Sequence, residues 1–415
     1  MSEIPEDSQI VHVVSALDFP LSVSKSVSRA RDPSKIWYII TKGDAFFSSK
    51  SGLERTGLPY FRDSLARLVG ADPDHVFLVS GKLGWGTEGL LGKLPGNKKY
   101  FVGGINSGKS TLVKTLIYRD DKTLRSDGHY GPGISEIPGF TAKQIKYQMK
   151  QEGGGVLIDT PGFIPKDRGV YQYLLKEDVK KVAKVAEYTS AKEGGHRAHS
   201  PVVKGKKVFD GKSLFSVGGF FYLKPPMGSV IQVFTGIPGV EAKYRDLQRL
   251  LDMNNERKKE IGHRFSVNEE AARNLVRYVI PPFYGKIDLV LKGVGYLTIV
   301  PCGKLEEGKL FQVYVPRGIE VVVRESIFGF IYKTRGGIDE TGNKLAKKNV
   351  PSRGAVILRK IPKKKLVFTR LIEVPLEMCD EEAFSKVVPG TGFGVEGKWR
   401  SQEEFENKLW REVKL

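Results

Sequence analysis

The run Tyr100-Phe101-Val102-Gly103-Gly104-Ile105-Asn106-Ser107-Gly108-Lys109-Ser110-Thr111 constrains the fold of this chain more than any other stretch. A short apolar segment feeds a glycine-rich turn, which opens an amphipathic segment from Leu112 to Tyr118. Gly103 and Gly108 bracket four residues ahead of Lys109-Ser110. At that spacing successive backbone N–H groups cradle phosphates, the lysine reaches the β/γ oxygens and the hydroxyl holds Mg2+. The following helix adds its positive N-terminal end. With strand, loop and helix in register, residues Gly103, Gly104, Ile105, Asn106, Ser107, Gly108, Lys109, Ser110 and Thr111 read as a phosphate-binding loop.

Upstream of that loop, continuous apolar runs at Gln9 to Ala16, Ile36 to Ile40 and His75 to Val79 predict strands buried on two faces. The second run ends in Thr41-Lys42-Gly43-Asp44. An aspartate there can accept the N1–H and the 2-amino group of guanine through its two oxygens, with Lys42 covering base and loop. Alone, this pattern is also that of a solvated turn. The third run ends in Ser80-Gly81-Lys82, where a backbone N–H can meet the guanine oxygen while Lys82 packs by the base. It lies at a strand end, where open α/β sheets bind their ligands. Between these strands the spacing of Phe61, Leu65 and Leu68 predicts a helix over Leu58 to Val69.

Downstream, the glycine- and proline-bearing segment Ile134 to Thr141 offers a hydroxyl that could close on Mg2+ when a γ-phosphate is present, in the manner of a switch. Ile145, Tyr147 and Met149 alternate as in a half-buried strand, and Gly155 to Ile158 is a buried one. That strand ends in Asp159-Thr160-Pro161-Gly162. The aspartate would hold Mg2+ through water, and the glycine would offer its N–H to the γ-phosphate. The catalytic set is then Lys109, Thr141, Asp159 and Gly162, with Ser110, Thr141 and Asp159 around Mg2+.

The order of these motifs is informative. In most GTPases the phosphate loop, switch threonine and Asp-x-x-Gly precede the base-reading motifs; here Thr41–Asp44 and Ser80–Lys82 come first. The sequence therefore resembles the circularly permuted GTPases. Within them it resembles the YqeH-like ribosome-assembly family and its fungal mitochondrial branch, the genetic interactors of prohibitins. The resemblance rests on His12-Val13-Val14 through Asp18-Phe19-Pro20-Leu21, Pro138-Gly139-Phe140-Thr141, and the blocks Val217 to Pro226, Tyr278 to Phe283, and Val315-Pro316-Arg317-Gly318 with Arg324-Glu325, and it spans most of residues 9 to 330. It implies an α/β permuted P-loop GTPase domain with a doubly wound, mostly parallel sheet, followed by a β-rich RNA-binding domain. It implies GTP/GDP and Mg2+ as cofactors, and a mitochondrial location.

Two departures stand out. The family usually carries an N-terminal zinc module with paired cysteines, and this sequence has only Cys302 and Cys379, which read as free thiols. Either the module was lost or the sequence starts inside a longer protein. The second is Thr41, where most GTPases have asparagine. Losing that amide is expected to remove a brace on the phosphate loop and to lower affinity, with guanine selectivity surviving through Asp44. Phe163 stands where other GTPases place a water-positioning glutamine. The resemblance links such substitutions to a K+ ion bound at Asn106, which otherwise only braces the loop; slow, K+-stimulated hydrolysis is the expectation.

The rest of the chain reads as a helical segment from Tyr171 to Tyr188, a basic linker over 191–213, a β-rich region over 214–371 and a tail over 372–415 with helical spacing. Domain boundaries are expected at those points, the nucleotide domain covering 1–190. A net charge of +20 favours a polyanionic partner, nucleic acid or an acidic membrane surface. Ten basic residues between Thr341 and Arg370, without an acid among them, read as a phosphate footprint on RNA. No apolar run approaches the roughly 20 residues that span a bilayer. The acidic N-terminus, taken literally, says cytosol. Because the chain leaves the nucleotide core soon after Phe163, switch movement is expected to be tied to the β-rich region.

Two functions from different classes fit these residues. One is a GTPase assembly factor bound to small-subunit rRNA or a pre-ribosomal particle. The other is a nucleotide-gated scaffold associated peripherally with the mitochondrial inner membrane. A P-loop kinase is a weaker third, as no stretch looks like an acceptor-substrate lid.

Overall fold

The computed structural model describes residues 4–121 apart from 7 and 48, residues 144–162 apart from 151–153, Tyr173, and the strands and adjoining turns between 204 and 412. The switch segment through Thr141, Phe163, both cysteines, the basic residues 344–365 and most of the tail lie outside the described residues.

Six strands form the first sheet: β1 (Gln9–Ser15), β2 (Trp37–Thr41), β3 (Val76–Leu78), β4 (Lys98–Gly103), β5 (Ile145–Gln148) and β6 (Val156–Asp159). Their order is β3-β2-β1-β4-β6-β5, parallel throughout except for the antiparallel edge pair β5–β6. The chain steps outward from β1 through β2 to β3, then returns to the other side of β1 for β4. The topological switch point therefore falls between β1 and β4, where ligands of such sheets bind beyond the carboxyl ends.

The apolar runs are continuous because both faces are covered. On β1, Ile10 and Val14 join one core with the helix Leu58–Val69, through Tyr60, Phe61 and Leu65. Val11 and Val13 join another with the helix Lys109–Asp120, through Leu112, Val113 and Leu116. The first helix stops at Gly70, which takes φ +71° and caps through its N–H to Ala66 O, a left-handed turn that costs a non-glycine residue about 1–2 kcal/mol.

The two large sheets of the C-terminal half are built from antiparallel strands. One sheet runs Arg411–Glu412, Phe368–Arg370, Val321–Glu325, Ile287–Leu291, Gly295–Pro301, Ile231–Thr235, Lys204–Phe209. The other runs Glu241–Tyr244, Leu214–Val217, Phe221–Lys224, Phe311–Pro316, Leu275–Ile280, Ile372–Val374. Three features differ from the sequence reading. Lys204–Phe209, within the stretch read as linker, is a strand hydrogen-bonded to Ile231–Thr235. Tyr173 packs into the C-terminal core and donates to Arg317 O at 2.6 Å. Arg411–Glu412, expected in a helix, pairs with Phe368–Arg370. In each case a partner distant in sequence supplies contacts that local composition does not encode.

The central strands of the first C-terminal sheet are buried on both faces. Leu289, Leu291, Leu297, Val321 and Val323 fill the C-terminal core. Their neighbours Val290, Tyr296 and Val322 belong instead to the core under the helix Leu58–Val69. The two halves of the chain thus share one apolar interior.

His12, on β1, is fully buried and held at about 4, far below its ordinary 6.5, because burial disfavours the imidazolium. Nε2 accepts from the Ser24 N–H at 2.9 Å, so Nδ1 carries the proton and donates to Val102 O at 3.3 Å. A histidine lowered in the folded state binds its proton preferentially in the unfolded state, so stability is present above pH 6.5 and is lost as pH falls toward 4. Between neutral pH and about pH 5 the wild type should lose about 2 kcal/mol more unfolding free energy than His12→Gln. Denaturant titrations of both proteins at the two pH values check this, and parallel losses would show that His12 is not the source.

Candidate nucleotide site

The loops named from sequence meet at one edge of the sheet. Asn106 and Gly108 take φ +60° and +80°, which turn the chain after β4 into a closed loop. Gly108 lies against Thr41: a Cβ there would sit 3.1 Å from Thr41 Oγ1. Gly103 is as confined, since its Cβ would be 2.5 Å from Val13 O. Gly104, by contrast, faces open space, as a residue beside a ligand must.

Lys109 and Ser110 begin the helix and point at the end of β6. Lys109 Nζ donates to Asp159 Oδ1 at 2.5 Å and to the Thr160 carbonyl, and Ser110 Oγ donates to Asp159 Oδ2 at 3.1 Å. Both Lys109 and Asp159 are buried. A hydroxyl and a carboxylate converging in this way are hard oxygen donors, and they fit Mg2+. Gly162 closes the same side: its Cβ would lie 3.4 Å from Ile105 N.

The turns after β2 and β3 are equally connected. Gly43 N donates to Val79 O at 3.0 Å, joining the turn after β2 to the end of β3. Asp44 sits half-buried in a short 3-10 turn over Gly43–Ala45. Lys42, at φ +61°, donates from Nζ to Asn106 Oδ1 at 3.2 Å. Ser80 bridges to Trp85, and its Oγ accepts from Leu83 N at 3.0 Å. Gly81 abuts the phosphate-loop helix, where a Cβ would be 3.2 Å from Leu112 N, and Gly81 O accepts from Thr115 Oγ1 at 2.5 Å. Lys82 is exposed beside it.

One expectation is changed by this geometry. Thr41 does not surrender the brace on the phosphate loop, because its hydroxyl donates to the Ser107 carbonyl, with Val14 O 3.2 Å away. Its short side chain reaches because the glycine at 108 lets the loop approach. Asn106, the residue the resemblance links to K+, accepts at Oδ1 from the Lys42 ammonium. Thr115 is a site residue that sequence reading missed; only its position one turn after Thr111 hinted at it.

Comparison with known proteins places the chain in a family. A family model described as 50S ribosome-binding GTPase matches residues 98–199, which starts at β4 and holds the phosphate loop and Asp159-Thr160-Pro161-Gly162. The turns Thr41–Asp44 and Ser80–Lys82 lie upstream of that match. A second model, Genetic interactor of prohibitins 3, C-terminal domain, matches residues 201–389. A curated Lachancea thermotolerans protein named Genetic interactor of prohibitins 3, mitochondrial, is 30% identical over 396 residues, covering 91% of this chain and 69% of its own. The chain belongs to the genetic interactor of prohibitins 3 family. The relative from Debaryomyces hansenii bearing the same name is 32% identical over 402 residues, 87% of this chain and 66% of its own length. The one from Clavispora lusitaniae is 29% identical over 420 residues, 90% and 66%. The chain thus spans about two thirds of the curated relatives it matches. Among solved structures, YjeQ from Thermotoga maritima aligns with 38% of this chain and 48% of its own at 18% identity and a TM-score of 0.25. The family is named as mitochondrial in each of these yeasts, which corrects the cytosolic reading of the N-terminus and agrees with the location the resemblance implies.

Replacing Thr41 with valine keeps its shape and leaves Ser107 O unpaired, so Thr41→Val should weaken nucleotide binding about tenfold. Thr41→Ser should bind as the wild type does. Titration with a fluorescent guanine nucleotide measures both, and equal affinities for valine and serine variants would remove the brace.

Proposed function

We propose that this protein binds and slowly hydrolyses GTP, and that it acts as an assembly factor for the mitochondrial small ribosomal subunit, contacting rRNA through its basic C-terminal half. The observation that carries the nucleotide reading is the convergence of Thr41–Asp44, Ser80–Lys82, Gly103–Thr111 and Asp159–Gly162 at the carboxyl ends of adjacent parallel strands. In this reading Asp44 accepts from the guanine edge, Lys109 and the loop N–H groups hold phosphate, and Gly162 meets the γ-phosphate. Ser110, Asp159 and Thr141 would hold Mg2+, which supplies positive charge at the β- and γ-oxygens when bound. In this reading the nucleotide domain precedes Lys204–Phe209, and the RNA-binding part takes in the sheet strands from Lys204–Phe209 to Arg411–Glu412.

The charge of +20 supports a polyanionic partner. The matching model's description names the large subunit; the small subunit comes from the resemblance to the assembly family. No helix among the described residues is long and apolar enough to cross a membrane. Peripheral attachment to the inner membrane is therefore the second reading, and the printed name of the relatives links them to prohibitins.

One experiment tests nucleotide and partner together. In gradients loaded with mitochondrial ribosomal particles, the wild type should travel with small-subunit particles in a non-hydrolysable GTP analogue and leave them in GDP. Asp44→Asn should do so only with the xanthosine analogue, because the amide cannot accept both guanine donors. Migration with large subunits, or binding to acidic vesicles alone, overturns the assignment. Response of Asp44→Asn to GTP as before overturns the base reading.

A K+ ion at Asn106 is also proposed, and Lys42 would compete with it for Oδ1. Hydrolysis should then be faster in KCl than in NaCl, with a wider difference in Lys42→Gln. Equal rates in the two salts for both proteins remove the cation.

A further inference from the structure

The register of the C-terminal sheet sets six side chains on the face turned to the nucleotide half. Asp288 lies opposite both Arg324 and Thr298, and Val290 lies opposite both Val322 and Tyr296. The first row is a buried polar group and the second an apolar one.

Arg324 is the centre of the polar row. It and Asp288 are both 0% exposed, with Nε donating to Asp288 Oδ2 at 3.2 Å. Thr298 Oγ1 donates to Asp288 Oδ1 at 2.7 Å and Ile327 N to Oδ2 at 3.4 Å. The guanidinium then crosses to the other half: Nη1 donates to Ala16 O at 3.2 Å and to Phe19 O at 2.6 Å, both just past β1. Beside it, Asp18 Oδ2 accepts from Gly293 N at 2.9 Å.

Both rows end on the base-reading turn. Ala16, held by Arg324 at its carbonyl, donates its own N–H to Thr41 O at 3.1 Å. Phe46 follows Asp44 by two residues, and its N–H is bonded to Gly43 O at 3.0 Å within the same turn. The Phe46 ring stacks on Tyr296 with centroids 5.0 Å apart and planes at 18°. Arg324 lies over both rings, 5.8 Å from Phe46 and 5.0 Å from Tyr296.

We propose that Tyr296 and Arg324 are positioning residues for guanine recognition: the C-terminal sheet fixes the turn 41–46 from behind, so that Asp44 meets the base only while the two halves are docked. Neither residue touches the nucleotide. They act through Ala16–Thr41 and through Phe46, and whatever loosens the docked sheet relaxes base selectivity in the same step. The phosphate loop shares the Thr41–Ser107 brace with this turn but is also held at Gly103 by Val13 and at Lys109 and Ser110 by Asp159, so loosening the turn costs the base contact more than the phosphate contacts. This inference rests on the guanine reading of Asp44.

The test compares the full-length protein's affinity for GDP with that for IDP, which lacks the 2-amino group that Asp44 accepts. The wild type should favour GDP by about tenfold or more. Tyr296→Leu should lose most of that ratio by weakening GDP, with IDP little changed. Tyr296→Phe, which keeps the stacked ring, should restore it. Phe46→Leu should reproduce the effect from the other side, and the double variant should lose no more than either single one. It also supplies the test if Tyr296→Leu fails to fold. A variant that weakens GDP and IDP by one common factor, or changes neither, overturns the positioning role while leaving the wild-type ratio intact. A wild type with no preference between them instead overturns the reading of Asp44, and the proposal with it.

Discussion

A parallel sheet can gather loops from distant parts of a chain only if every crossover returns to the same end, and this constraint governs the nucleotide half. Strands β1, β2, β3, β4 and β6 all run one way, so the segments after β2, β3, β4 and β6 emerge at one edge. Permutation changes which loop the chain visits first and leaves the edge itself alone. The turns Thr41–Asp44 and Ser80–Lys82 come before the glycine-rich loop in the sequence, and the Thr41 hydroxyl, Gly108 and Ser107 lock the first of them to that loop.

The second dependency is the shared interior. Val290, Tyr296 and Val322 reach out of one sheet into the core beneath another. A buried ion pair between Asp288 and Arg324 lies at that seam, where burial pushes the carboxyl upward and the guanidinium opposes the rise. Such a pair gains little over a well-packed apolar replacement, yet removing one partner costs about 3–5 kcal/mol. It therefore specifies how the halves meet more than it strengthens the meeting. The carbonyls of Ala16 and Phe19 complete the requirement, since only a planar, multidentate cation satisfies both and the carboxylate.

Much of the nucleotide half was legible in sequence because its signals are local. The helix Leu58–Val69 has its spacing and its Gly70 cap, and the strands show unbroken apolar runs that only two-sided burial explains. That the candidate loops meet at one end of the sheet was legible because each was read at the end of a buried strand. Thr41 was the exception: its departure from the usual asparagine suggested loss, whereas reach across to Ser107 depends on how closely Gly108 lets two loops approach. The C-terminal half announced its class but not its pairings. Lys204–Phe209 and Arg411–Glu412 are strands because of partners tens of residues away, and nothing local to Arg324 points to its partner Asp288, 36 residues upstream.

The alternation along the central C-terminal strands has a consequence for inheritance. Leu289 and Leu291 pack into one half of the molecule, while Asp288 and Val290, which alternate with them, face the other. A recombination that carried this sheet onto a different nucleotide domain would bring its own core intact and leave every second residue facing the wrong neighbour. The modular appearance of the chain, with its break in composition near residue 200, therefore conceals two halves that can be exchanged only as one piece.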